Sequence, residues 1–163
     1  GIEVDLLPFG EIENADRELR LNRHTVLVMD MTGFREVYPF AESITLAEGL
    51  SLNVCTAEGL IILKLIANHD NPSRTKDISD IEHLLKVYFE LHADEIYSEY
   101  MDAMELYDTA DNNYLKLISS RVAGRKIKMI LTAHTSTTQQ IKSILAKRPA
   151  AAWQAMLDGL NDE

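Results

Sequence analysis

The sequence predicts an α+β fold, a mixed sheet followed by a C-terminal helical bundle. Three observations carry that prediction. Short runs of alternating or β-branched residues occupy the first 55 or so positions. An eight-residue run from Leu60 to Ala67 is apolar nearly all round, as a buried helix is. From about Thr75 onward apolar residues recur at helical spacing, so strands come first and helices after them.

The elements follow in order. Ile2, Val4 and Leu6 alternate with Glu3 and Asp5, which predicts a strand ended by Pro8 before Phe9-Gly10. A lone strand at position 1 needs partners, supplied either by later strands or by something that normally precedes this point. Glu11 to Asn22 is polar and charged and reads as a connection. Thr25 to Met31 is a second strand by its β-branched content, closed by Thr32-Gly33, and Phe34 to Phe40 has room for one helical turn limited by Pro39. Ile44 and Leu46, then Leu50, Leu52 and Val54, alternate with polar residues around Glu48-Gly49, a hairpin pattern. Thr56 is placed to cap the apolar helix.

After a loop from His69 to Ser73, Ile78, Ile81, Leu85 and Tyr88 mark one helix. Ile96, Tyr100 and Met104 mark a second, and Leu115, Ile118 and Val122 a third with a break expected near Gly124. Ile141, Ile144 and Leu145, then Trp153, Met156 and Leu160, complete the bundle.

Composition bounds the function. At 163 residues and 46% apolar content, the chain suits one ordinary domain or a compact α/β part with a helical extension. No apolar run approaches the roughly 20 residues that span a bilayer, and no basic-then-apolar leader is present. Cys55 is the only cysteine, so an intramolecular disulfide is excluded and a reduced, cytoplasmic setting is expected. The net charge of −10 hides an asymmetry: from Asn112 to Leu157 there are eight cations and no acid, which leaves −18 on the remainder. Bulk charge therefore disfavours nucleic acid, while the C-terminal segment can attract it locally.

Few residues are placed for chemistry. Lys64 is the only charge in its apolar run; it is either a lysine whose stem packs while its ammonium reaches water, or a cation at a cleft edge that meets a phosphate. Asp77 falls about 45° from the centre of its helix's apolar face by the helix period, whereas Asp80 lies near the edge of that face. Acids in a first helical turn also favour the helix dipole, but an inward Asp77 needs a partner, and Lys64, Arg74 or Lys76 qualifies. Asp5 is either an exposed strand acid or a metal-facing carboxylate, and one carboxylate alone holds Mg²⁺ poorly. Arg121, Arg125 and Lys128 share one helix face if the helix survives Gly124, as a solvated face or as a contact for an RNA acceptor or acidic partner. The five histidines show no metal-ligand spacing, and neither a Walker loop nor a Gly-x-Gly-x-x-Gly occurs.

Taken in order, the strand with Asp5, Pro8-Phe9-Gly10, Gly33-Phe34-Arg35-Glu36, the hairpin, Leu63-Lys64-Leu65-Ile66-Ala67 and Arg74-x-Lys76-Asp77-x-x-Asp80 resemble bacterial nucleotidyltransferases. They are similar to the abortive-infection AbiEii toxin group of the polymerase-β-like superfamily. The resemblance covers about Ile2 to Tyr88; beyond it only Gly124-Arg125 sits in a plausible place. It implies a partial nucleotidyltransferase-type mixed sheet, with residues 1–70 forming the C-terminal part of the α/β core and 71–163 a helical region.

The resemblance further implies two-metal, Mg-dependent transfer of a nucleotide from an NTP to an RNA or protein acceptor. Asp5 would match the third metal carboxylate, Lys64 the lysine that meets the triphosphate, and Asp77 and Asp80 the acids of the last motif. Arg74 and Lys76 flank that nucleotide-binding motif. The family's opening Gly-Ser or Gly-Gly turn and Asp-x-Asp pair have no counterpart before Asp5, and Asp30 stands alone between Met29 and Met31. The expectation is therefore a chain inactive by itself, or else an interaction module that forms a homo-oligomer. An antitoxin is a further possible partner.

Overall fold

A computed structural model describes residues 11, 15, 17–22 and 26–162. The strand expected at residues 2–7, with Asp5, lies outside them. Among the described residues the chain is α+β: two separate two-stranded antiparallel sheets precede the main helices.

The first sheet departs from expectation. Glu18–Asn22 (β1) is a strand rather than part of a connection, and it pairs antiparallel with Val26–Asp30 (β2), Glu18 opposite Asp30 and Asn22 opposite Val26. The alternation of Leu19 and Leu21 with Arg20 carries this strand, obscured in the sequence by the charges around it. Gly33 then turns the chain with φ +98°, a conformation that suits glycine. A Cβ there would lie 3.0 Å from Ile66 Cδ1, so the turn also packs closely on the helix beyond.

Phe34–Val37 (α1) and a 3₁₀ turn at Tyr38–Phe40 lead to the expected hairpin, Glu42–Ala47 (β3) with Leu50–Val54 (β4). Ile44 pairs with Leu52 and Glu42 with Val54, and the register shifts between Thr45 and Ala47. Gly49 adopts φ +76° in the tight turn. Every residue of both strands is exposed.

Ala57–Asp70 (α2) begins where Thr56 Oγ1 accepts from the Gly59 N–H at 3.2 Å, the expected cap. It buries Ile61, Ile62, Leu65 and Ile66, while Leu60 remains partly exposed. Thr75–Leu91 (α3) packs Ile81, Leu85 and Tyr88 against it. The helix expected through Ile96, Tyr100 and Met104 is two short ones, Ala93–Glu99 (α4) and Met101–Glu105 (α5), interrupted at Tyr100 (φ −126°, ψ 26°).

Tyr114–Leu131 (α6) runs unbroken through Gly124, contrary to the break expected there. Its hydrogen-bond ladder persists because the glycine serves packing instead, against Ala151–Asn161 (α8). Leu115 is exposed, so the buried face of α6 begins at Leu117 and Ile118. Thr135–Ala146 (α7) buries Ile141, Ile144 and Leu145, and α8 buries Trp153, Met156 and Leu160, as their spacing predicts. One hydrophobic cluster joins α2, α3, α6, α7 and α8, and it fixes the α2–α3 pair that carries the polar site.

Candidate functional site

Lys64 leaves the middle of α2 on the side that faces the start of α3. Its side chain is 21% exposed, so the stem packs while the ammonium stays near the surface. Nζ lies 3.1 Å from Asp77 Oδ1 and 2.8 Å from Asp80 Oδ2. Arg74, just before α3, donates Nε to the other Asp77 oxygen at 2.7 Å. Asp77 is buried with a cation on each oxygen, and Asp80, its side chain 40% exposed, is held among the described residues by Lys64 alone. Lys76 is exposed and acts on Asp80 only through its field.

The electrostatics follow from this geometry. Burial opposes ionisation of Asp77, but Arg74 and Lys64 outweigh it and hold the carboxyl below the usual range. The Lys64 hydrogen bond does the same for Asp80. Partial desolvation of Lys64 is in turn outweighed by Asp80 and Asp77, which push its pKa up. Two cations and two carboxylates leave the cluster electrically neutral and its lysine charged. A polyanion arriving at this edge has one easily displaced competitor, the exposed Asp80.

The remaining expected site residues lie elsewhere. Asp5 is outside the described residues. Arg121, Arg125 and Lys128 do share a face of α6, but that face is occupied by the chain's own acids. Arg121 donates Nε to Asp162 Oδ2 at 2.9 Å and lies 3.4 Å from Asp158. Arg125 grips Asp102 at 2.8 Å and also reaches Asp162, whose backbone carbonyl accepts from Lys128.

Two polar clusters were not legible in the sequence. Glu36, fully buried, accepts from both Arg17 nitrogens at 2.5 and 2.8 Å, from Thr137 Oγ1 at 3.0 Å and from the Gly33 N–H at 3.2 Å. Glu58 accepts from the Tyr88 hydroxyl and sits 3.2 Å from Lys126 Nζ, which also bonds Glu95 at 2.9 Å. Both join residues far apart in sequence. Asn68 was missed as well, although it follows Lys64 by four positions and so shares its helix face.

The described residues do not fit a divalent metal ion: among them no group of three or more His, Cys, Asp or Glu side chains converges. Asp77 and Asp80 are engaged by Lys64 and Arg74. Among the described residues no helix is long and apolar enough to cross a membrane.

No curated protein and no solved structure matches the chain. A family model described as nucleotidyl transferase AbiEii toxin, type IV toxin–antitoxin system, matches residues 14–163. That match covers both the Lys64 helix and the Asp77 helix, and it extends through the helical part where motif resemblance fades. The chain belongs to the AbiEii nucleotidyl transferase toxin family.

Proposed function

We propose that this chain supplies the phosphate-facing part of a nucleotidyl-transfer site, with Lys64 as the residue that meets the triphosphate. The observation behind this reading is the Lys64 ammonium held between Asp77 and Asp80 at a surface edge. On arrival of an NTP, its phosphate oxygens replace exposed Asp80 as partners of Lys64, while buried Asp77 and Arg74 keep the lysine aimed. In the transfer step an acceptor oxygen bonds to the α-phosphorus and the bond to pyrophosphate breaks. Lys64 then offsets the charge that builds on the leaving phosphates.

In this reading residues 1–70 supply the transferase-type α/β part and 71–163 the helical part. Mg²⁺ enters only where further carboxylates join Asp5, so these 163 residues alone transfer no nucleotide. An RNA or protein acceptor reaches Arg121, Arg125 and Lys128 by displacing Asp162. The setting is the cytoplasm, with an antitoxin as the partner that restrains the toxin.

The test is direct binding of each labelled NTP, followed by incubation with Mg²⁺ and tRNA or protein. Lys64→Gln is expected to weaken NTP binding about tenfold, the worth of a lost charged hydrogen bond, and no labelled acceptor should form. Unchanged NTP binding by Lys64→Gln removes the lysine's role, and robust labelling by the chain alone removes the claim of inactivity.

A second reading, a non-catalytic module that self-associates, draws on one observation. Ile44, Leu46, Leu50, Leu52 and Val54 of the hairpin are 42–61% exposed, an apolar surface that a two-stranded hairpin leaves unprotected. A strict monomer in light scattering at high concentration counts against it.

A further inference from the structure

We propose that the cavity between the end of α2 and the end of α7 is a phosphate subsite built on Arg148. The cavity measures about 270 Å³ and is lined by Asn68, His69, Pro72, Ile144, Lys147 and Arg148, two cations and an imidazole with no carboxylate. That it takes a phosphate of the transfer substrate rests on the function proposed above.

Arg148 differs from the arginines that hold the fold together. Arg17, Arg74, Arg121 and Arg125 each grip a carboxylate. No carboxylate of the described residues lies within 4.0 Å of Arg148, and Glu82 acts on it only at longer range. Among the described residues its guanidinium makes one hydrogen bond, from Nη2 to Asn68 Oδ1 at 2.7 Å. Its Nε is fully withdrawn from solvent and has no acceptor. The guanidinium lies over the Trp153 ring, 5.1 Å from the centroid, which fixes its plane without neutralising it. A partly desolvated guanidinium with free donors and no counter-ion is a poor arrangement unless an anion visits it.

Its position says which anion. Asn68 stands one helical turn beyond Lys64 on α2, and its Nδ2 donates to the Arg74 carbonyl at 3.1 Å. Arg74 in turn holds Asp77, the partner of Lys64. Arg148, Asn68, Arg74, Asp77 and Lys64 thus form one continuous polar bracket, with Arg148 at one end and Lys64 at the other. A substrate with several phosphates meets both cations along a single edge. Guanidinium geometry favours phosphate oxygens for the same reason it favours carboxylates, and among the described residues no carboxylate fills for Arg148 the place one fills for Arg17, Arg74, Arg121 and Arg125.

Trp153 is the only tryptophan and reports on the site directly. Titrating the full chain with inorganic phosphate at fixed ionic strength should change its emission saturably. Arg148→Gln, with its fold checked by circular dichroism, should weaken that response about tenfold or more. If Arg148→Gln does not fold, Lys147→Gln and His69→Gln, both exposed, should each weaken it severalfold. No saturable response in the wild type, or an undiminished one in every folded variant, overturns the subsite.

Lys64→Gln separates this inference from the reading it rests on, because it should leave the inorganic phosphate response intact. Displacement of phosphate by an NTP, weakened in Lys64→Gln, identifies the nucleotide as the source. Displacement by a 5′-phosphorylated RNA oligonucleotide, equal in both proteins, identifies the acceptor backbone. Displacement by neither overturns the assignment to a substrate phosphate.

Discussion

Gly124 on α6 and Gly159 on α8 meet backbone to backbone: a Cβ placed on Gly124 would lie 3.1 Å from Gly159 Cα and 2.1 Å from the Met156 carbonyl oxygen. The reverse holds on α8, where a Cβ on Gly159 would come within 2.1 Å of the Arg121 carbonyl oxygen. The two helices approach this closely because neither has a side chain at the crossing.

Gly124→Ala therefore tests a balance of two effects. Alanine gains about 1 kcal/mol over glycine in a helix interior. Here the clash is with backbone, which cannot rotate aside, and overpacking of that kind costs about 1–3 kcal/mol or more. The net expectation is destabilisation by about 1–2 kcal/mol in urea unfolding, with Gly159→Ala similar. A stabilised Gly124→Ala variant contradicts the crossing.

Glu36 gives a pH-dependent prediction. Burial opposes its ionisation, yet the Arg17 hydrogen bonds and charge, with Thr137, bring the pKa from 4.5 down to about 2. A depressed carboxylate stabilises the fold above its unfolded pKa, and that contribution disappears as pH falls toward the folded value. Glu36→Gln should lower stability on the order of 3 kcal/mol near neutrality, since every tenfold change in proton affinity is worth about 1.4 kcal/mol. The gap to the wild type should close between pH 4.5 and about 2. A gap constant across that range means that the Glu36 charge contributes nothing.

These residues also mark what the sequence could convey. The helix period projects Asp77 inward, and an inward acid's need for a cation points to Lys64, Arg74 or Lys76; the fold pairs it with Lys64 and Arg74 and leaves Lys76 exposed. Glu36 offered no such signal: Thr137 lies 101 positions away, and only the folded chain brings them together. Gly124 misled for a related reason. A glycine inside a helical pattern marks either a break or a close approach, and the deciding residue, Gly159, lies on another helix. Strand β1 was hidden because its short alternation is interleaved with charge.

The Glu58 cluster tests whether a buried carboxylate depends on both its partners. Burial pushes its pKa up, but the Tyr88 hydroxyl and Lys126 outweigh that and lower it. Tyr88→Phe removes one donor and should cost about 1.5–3 kcal/mol, the range for hydrogen bonds to charged groups. Lys126→Met leaves the charge buried without a cation and should cost about 3–5 kcal/mol. Adding Glu58→Gln to Lys126→Met should recover much of that loss, because no charge is then left unpaired. Thermal unfolding of the three variants decides it; a Lys126→Met cost under about 0.5 kcal/mol, as for an ordinary surface change, would show the pairing idle.

The basic face of α6 offers the last test, because Asp162 competes with any phosphate for Arg121 and Arg125. Burial opposes ionisation of Asp162, and the two arginines overcome it, so the acid stays charged and the face stays blocked at neutral pH. Wild-type binding to tRNA should accordingly show little salt dependence. Asp162→Ala half-frees Arg121, which keeps Asp158, and Arg125, which keeps Asp102, and releases Lys128 from the carbonyl beside it to the extent that the end of α8 loosens. Binding by fluorescence anisotropy should tighten, with a log–log salt slope steeper by up to about 2, the limit set by three phosphate contacts at about 0.7 each. Reversing Arg121, Arg125 and Lys128 in the Asp162→Ala background should abolish the gain. An unchanged slope in Asp162→Ala would leave these three cations as clamps for the C-terminal helix and place the acceptor elsewhere.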